Sequence, residues 1–280
     1  MAHAPFHFNN YIYKATLKAP ALPSSLPSPA QPGTTPLPAE GSSTLVVRLS
    51  NLRADGMNNT HRVQNEVASQ YLSREALLEA GLPGLVPAVY AWAAPQLGVG
   101  GADAPLPSES GFGWMVGEFM PGADMDGEFP SLSLEEKKDA LAQFAGILAA
   151  VQRTELPPGV TKFGGLTFDE ETGAIVSGQM PLVKGDPREN YAEVWVGRLR
   201  TPLEDADKSP VVRGWKEGGV RDRIERFIEG GVEKTLDGVD LSLKALVHGD
   251  LSTSSPFDCL NLGDMRYAWI PGKLTHVCVA

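Results

Sequence analysis

Along the first third of the chain, apolar positions alternate with polar ones, change to a four-residue rhythm, and then return to alternation. That order predicts strands framing a helix. Residues 11–17 and 43–49 read as strands, the second carrying the β-branched pair Val46 and Val47. Between them, residues 19–41 are dense in proline and serine. Proline lacks the backbone donor that a sheet needs, so this stretch is expected to be a solvated, mobile loop. Val63, Val67 and Tyr71 recur every four residues and predict a helix over about 61–72, with a second short helix ending near Gly81. Residues 85–92 and 114–119 read as further strands, separated by a glycine-rich loop.

The second half is dominated by helical spacing. Ser133-Leu134-Glu135-Glu136 has the form of a capping box, and it opens a helix whose stripe would be Leu141, Phe144, Ala145, Leu148 and Val151. Pro157-Pro158 stops it. Residues 163–168 and 174–176 flank a turn-like stretch and predict a hairpin. Val220, Ile224, Phe227 and Ile228 align on one further helix. The last recognisable element is an apolar strand, residues 245–247, running directly into His248-Gly249-Asp250-Leu251. The pattern as a whole predicts an α+β chain, sheet-rich to about Gly117 and mainly helical beyond it.

Composition narrows the classes. With 280 residues and 42% hydrophobic content the chain can bury a sizeable core. A net charge of -10 argues against a nucleic-acid partner or an anionic membrane surface and is compatible with a cationic substrate. There is no run of about 18 apolar residues, and the first ten residues lack a signal peptide's basic flank and apolar stretch, so a cytoplasmic location is expected. Cys259 and Cys278 have no metal-ligand spacing and read as thiols. Asn58-Asn59-Thr60 has the form of a glycosylation acceptor, which without a secretory signal is a chance match.

The chemistry-bearing cluster is His248-Gly249-Asp250-Leu251. An aspartate held just beyond a buried strand can accept a hydroxyl proton while phosphate is transferred to the oxygen. Taken alone, Asp250 is equally a turn aspartate capping the next segment. Arg48 can also be read as a surface strand arginine, Glu66 as a solvated helix glutamate, and residues 114–122 as a buried strand ending in a Pro-Gly turn.

In order along the chain, these motifs resemble the aminoglycoside phosphotransferase family, especially its divergent fungal members, over roughly residues 8–251. The resemblance implies a protein-kinase-like, two-lobed fold: residues 1–117 as the sheet-rich lobe with an insert at 19–41, and residues 118–280 as an incomplete helical lobe. Residues 8–14 look like the family's first hairpin, whose turn covers the nucleotide phosphates. Thr44-Leu45-Val46-Val47-Arg48-Leu49 is similar to the strand carrying the phosphate-contacting cation, with Arg48 where a lysine is usual. Arginine keeps the charge and can grip phosphate bidentately. Glu66, in Val63-Gln64-Asn65-Glu66, would be its helix partner. Trp114 to Gly122 resembles the hinge, so Glu118 and Met120 are implied to bind nucleotide through their backbone. Asp250 would be the catalytic base, and the glycine before it resembles small-molecule kinases more than protein kinases.

The resemblance implies ATP and Mg2+ as cofactors and a small polar hydroxylated molecule as substrate. It also exposes departures. Five residues after Asp250, where the family has a metal-holding asparagine, stands Ser255. A serine hydroxyl is a shorter, poorer substitute. Asn261 lies six residues too far on, and Asp264 follows Leu262-Gly263 in turn-like context rather than closing an apolar strand. Residues 273–277 resemble the approach to the family's second metal aspartate, and the sequence then reads Cys278-Val279-Ala280. The expectation is a chain that stops before its magnesium-binding segment is complete, with apolar faces of the later helices partly uncovered and very low activity. Three readings stand open: an impaired phosphotransferase, a non-catalytic nucleotide-binding relative of kinases, and a globular protein unrelated to them.

Overall fold

The computed structural model describes residues 9–28, 30–52, 54, 56–96, 111–121, 125–212, 214–248, 261–262, 265–266 and 277–279. The fold is α+β. Strands β1 (Asn10–Ala21), β2 (Ser42–Ser50), β3 (Val89–Ala93) and β4 (Trp114–Glu118) form an antiparallel sheet in the order β1-β2-β4-β3. Helix α1 (Arg62–Glu79) lies against it. Beyond the sheet come the single turn α2 (Met125–Glu128), the long helix α3 (Leu134–Arg153), the hairpin β5 (Gly165–Phe168) and β6 (Ile175–Gly178), and α4 (Tyr191–Lys208). Then follow α5 (Val220–Arg226), a wide π turn (Phe227–Gly231), α6 (Val232–Thr235) and β7 (Leu246–His248). Short strands β8 (Asn261–Leu262) and β9 (Met265–Arg266) pair with each other, and β10 (Val277–Val279) pairs antiparallel with β7, Val277 opposite His248.

Several expectations are corrected. Residues 10–16 pair continuously with β2, with the register shifting only between Thr16 and Ala21, so no phosphate-covering turn interrupts residues 10–14. The proline-rich stretch docks instead of floating. Gln31 brackets Trp92, its amide donating to the Trp92 carbonyl (2.7 Å) and accepting from the Trp92 N–H (3.0 Å). Pro32 O accepts from the Trp92 indole (2.9 Å), and Thr35 N–H donates to Val89 O (2.7 Å). Two donors and two acceptors from the segment are enough to cover the edge of β3, so the prolines elsewhere in it cost no sheet bond. Leu37, buried with Leu45, Ala88 and Tyr90, anchors it.

The two predicted helices near residues 61–81 are one. It ends where Gly81 adopts φ +75° and Leu82 N–H reaches back to Leu77 O (2.7 Å), the six-to-one bond of a Schellman stop. Helix α3 starts as the sequence predicts, with Glu136 N–H donating to Ser133 Oγ (3.3 Å) and Ser133 N–H to the Glu136 carboxylate (2.8 Å). Its buried stripe, however, is Ala140, Ile147 and Val151 with Phe144 beside it, while Leu141 is 58% exposed. The helix is rotated relative to the simplest apolar count. The expected helix around Ile224 is present, and it runs from α5 through the π turn into α6 with right-handed backbone at each junction. Helix α4 was not foreseen: it buries only Ala192, Val194 and Leu203, and its charged outer face hides the period. Its start is signalled by Asn190, which caps Glu193 N–H (3.0 Å).

The main core joins elements far apart in sequence, from α1 to β7. Ala68, Leu72 and Leu77 of α1 pack with Ile147 and Val151 of α3, Leu166 of β5 and Leu246 of β7. Burying Leu166 and Leu246 completely is worth roughly 1.5–3 kcal/mol each. This core fixes α1 between the sheet and the strand that leads toward Asp250. No helix among the described residues is long and apolar enough to cross a membrane.

Candidate functional site

Alternation along β2 places Val46, Arg48 and Ser50 on the face turned to α1. On α1, residues Arg62, Glu66, Ser69, Gln70 and Ser73 recur at helical spacing and are all buried. The two rows meet. Arg48 Nη1 and the Glu66 carboxylate form an ion pair whose residues are 2% and 4% exposed. Gln70 donates to the Glu66 carboxylate at 3.5 Å. Met115 sits beside Arg48 in register, so the guanidinium is flanked by apolar surface as well as by its partner. Burial pushes the Arg48 guanidinium well below its ordinary range, and the nearby Arg62 adds to the effect.

Arg62 is a second buried cation. Its Nη1 donates to Asn51 O (3.1 Å) and Asn59 Oδ1 (3.2 Å), and its Nη2 to Asn10 Oδ1 (2.9 Å) and the Asn9 carbonyl. These acceptors are neutral, and burial lowers its pKa to about 10. Arg62 thereby ties the start of β1 and the loop after β2 to the start of α1. Asn65 extends the arrangement, its Oδ1 accepting from Leu166 N–H (2.7 Å). A Cβ added at Gly165 would fall 2.4 Å from the Gln179 carbonyl oxygen and 2.8 Å from Asn65 Oδ1, so only glycine fits there. His61 Nδ1 accepts from Gln179 N–H (3.0 Å), with burial holding the imidazole below its usual range and Asp186 opposing the effect.

The structure brings Arg48 and Glu66 together as the sequence predicts. Glu118, at the end of β4, uses its carboxylate to accept from Ala88 N–H (3.0 Å), with Arg74 at 3.6 Å, and its own N–H donates to Ala88 O (2.9 Å). Tyr90 is pushed up to about 12 by burial and by the charge of Glu118. Met120 packs against the main core. Asp250, Ser255 and Asp264 lie outside the described residues, as do the side chains of Asn261 and Cys278; the strand leading to Asp250 ends at the buried His248. Among the described residues no group of three or more His, Cys, Asp or Glu side chains is placed to hold a metal ion. Sequence reasoning missed Arg62 and the buried polar row of α1. The signal was present, since Arg62, Glu66, Ser69 and Ser73 repeat at three- and four-residue steps.

No family model matches the chain. No curated protein matches it either. Among solved structures it is similar to a thermostable mutant of aminoglycoside phosphotransferase APH(4)-Ia in the apo form, at 12% identity and a TM-score of 0.42. That likeness covers 85% of this chain and 61% of the other, so the chain spans less than two thirds of its length.

Proposed function

We propose that the chain is a phosphotransferase of protein-kinase-like build that transfers phosphate from ATP to a hydroxyl of a small polar molecule, at a low rate. The observation that carries this reading is the sealed Arg48–Glu66 pair between β2 and α1. A guanidinium held in place by a helix carboxylate is a fixed grip for phosphate oxygens. Arg48 Nε and Nη2 have no hydrogen-bond partner among the described residues, which fits a ligand rich in acceptors such as a nucleotide's phosphates. Arg48 would hold the phosphate chain, Glu66 would orient Arg48, and the segment from Glu118 to Met120 would border the base. Asp250, two residues beyond the end of β7, would accept the hydroxyl proton.

Mg2+, which neutralises charge on the transferred group in this chemistry, does not fit the donors at hand. Ser255 stands where an amide oxygen donor would be needed, and its shorter hydroxyl is a poorer ligand. No step is assigned to the metal. The rate is therefore expected to be low, and the Ser255 position favours a second reading in which the chain binds nucleotide without turnover.

The test is ATP consumption with a panel of hydroxylated amines and polyols. Slow turnover that Asp250→Ala abolishes while ATP binding persists, and that Ser255→Asn raises, supports the phosphotransferase. ATP binding with no turnover, even in Ser255→Asn, supports the second reading. Turnover unchanged by Asp250→Ala removes that residue from the mechanism.

A further inference from the structure

The layer between β1, β2 and α1 holds more positive charge than negative. Arg48 and Arg62 are both buried, Glu66 is the buried carboxylate paired with Arg48, and the partners of Arg62 are neutral carbonyls and amides. The Gln70 amide oxygen and the Ser69 and Ser73 hydroxyls of α1 also lack a partner among the described residues, but the guanidinium and Asn10 atoms of this layer that lack one are all donors. Arg48 Nε and Nη2, Arg62 Nε and Asn10 Nδ2 are buried donors without a hydrogen-bond partner among the described residues. They are neighbours: Asn10 Oδ1 takes a bond from Arg62, and the β1–β2 register sets Asn10 opposite Ser50, on the strand face that also carries Arg48. Buried donors left without acceptors are costly, and a buried excess cation more so. A protein does not gather them at one point without something to receive them.

Resting on the nucleotide-binding reading above, we propose that this layer is a metal-independent oxyanion site, in which Arg62 and Asn10 join Arg48 to bind a phosphate or polyphosphate group as the free anion. The two guanidiniums supply the countercharge that Mg2+ supplies elsewhere, and their planar N–H edges match phosphate oxygens. Arg48 is 2% exposed, so the layer opens to admit the anion, which takes the unpartnered Nε and Nη2 edge while Glu66 keeps Nη1. Arg62 and Asn10 are then ligand contacts rather than clamps alone. The ligand is either a nucleotide's phosphate chain or free pyrophosphate, and the chemistry recognised is the same.

The experiment is calorimetric titration of the full chain with ATP and with pyrophosphate, each in EDTA and each in Mg2+. The site predicts binding in EDTA at least as tight as in Mg2+. Asn10→Ala should weaken it about fivefold, the value of one neutral hydrogen bond, and Arg48→Met by about a hundredfold. Asn10→Ala keeps both arginines, so it separates a ligand contact from a failure to fold, and circular dichroism checks the fold of each variant. Pyrophosphate binding without ATP binding would uphold the anion site and overturn the nucleotide reading. ATP binding that requires Mg2+ would overturn the metal-independent site and leave the nucleotide reading standing. Binding in EDTA that Asn10→Ala and Arg62→Lys both leave unchanged, or no anion binding at all, would also overturn it.

Discussion

Two ionic clusters in this chain are built on opposite principles. Between α4 and α5, Asp207 meets Lys216 at 2.9 Å, Arg221 meets Glu225 at 2.5 Å, and Arg200 closes on Glu225 at 3.0 Å. These side chains are partly open to water, and hydrogen bonds within the cluster lower the pKa of Asp207 and Glu225 and raise that of Arg221, each toward the charged form. Between β2 and α1, Arg48 and Glu66 are sealed, with guanidinium donors left unsatisfied. The surface cluster has more bridges and better hydrogen bonding, yet solvent and salt compete for each of its charges. The buried pair has fewer bonds and higher stakes, since low dielectric strengthens the attraction and punishes any unpaired member. Counting bridges would rank them the wrong way round.

The comparison can be broken most forcefully at Glu66. Glu66→Ala strands Arg48 in an apolar layer and is expected to cost about 3–5 kcal/mol, read as the loss of unfolding free energy in urea. A cost near zero would mean that the layer is wet and the pair merely local. Removing both charges at once sharpens the point. Arg48→Met/Glu66→Leu fills the same space without charge and should be neutral or stabilising by about 1–4 kcal/mol, so that it unfolds at the wild-type urea midpoint or above.

A smaller effect is expected at His61. Its Nδ1 must be unprotonated to accept from Gln179 N–H, and its folded pKa lies below the unfolded value of about 6.5. With the folded value depressed, the unfolded chain binds the extra proton first. Stability is therefore full above about pH 6.5 and falls as pH drops through the folded pKa. His61→Asn should flatten the pH dependence of the urea midpoint between pH 7.5 and pH 5.5, about one unit on either side of that value; an unchanged slope would place the titration elsewhere. The smallest effect belongs to the surface cluster. Arg221→Ala should move the midpoint slightly, and the shift should vanish in high salt. A large, salt-insensitive loss would erase the distinction between the two clusters.

The same contrast explains how much of the molecule was legible in its sequence. Strands β2 and β4, the start of α3 and the β5–β6 hairpin each carry a local signal: β-branched alternation, a capping box, a turn flanked by apolar runs. Those signals survive without tertiary context. The Arg48–Glu66 pair was readable only as a relation between two elements. The rotated stripe of α3, the docking of residues 30–37 on Trp92 and the burial of Arg62 depend on what packs alongside, which no local pattern encodes. Arg62 is instructive, because a charged residue opening a helix ordinarily faces water, and only the carbonyls of Asn9 and Asn51 converging on it reveal otherwise.

The central claim is that the buried pair anchors a nucleotide's phosphates, and the folded Arg48→Met/Glu66→Leu chain isolates it. Titrating ATP into wild type and into this variant by calorimetry is the most direct test. Saturable binding by the wild type and none by the stable variant is the predicted result; equal affinity in both would contradict it.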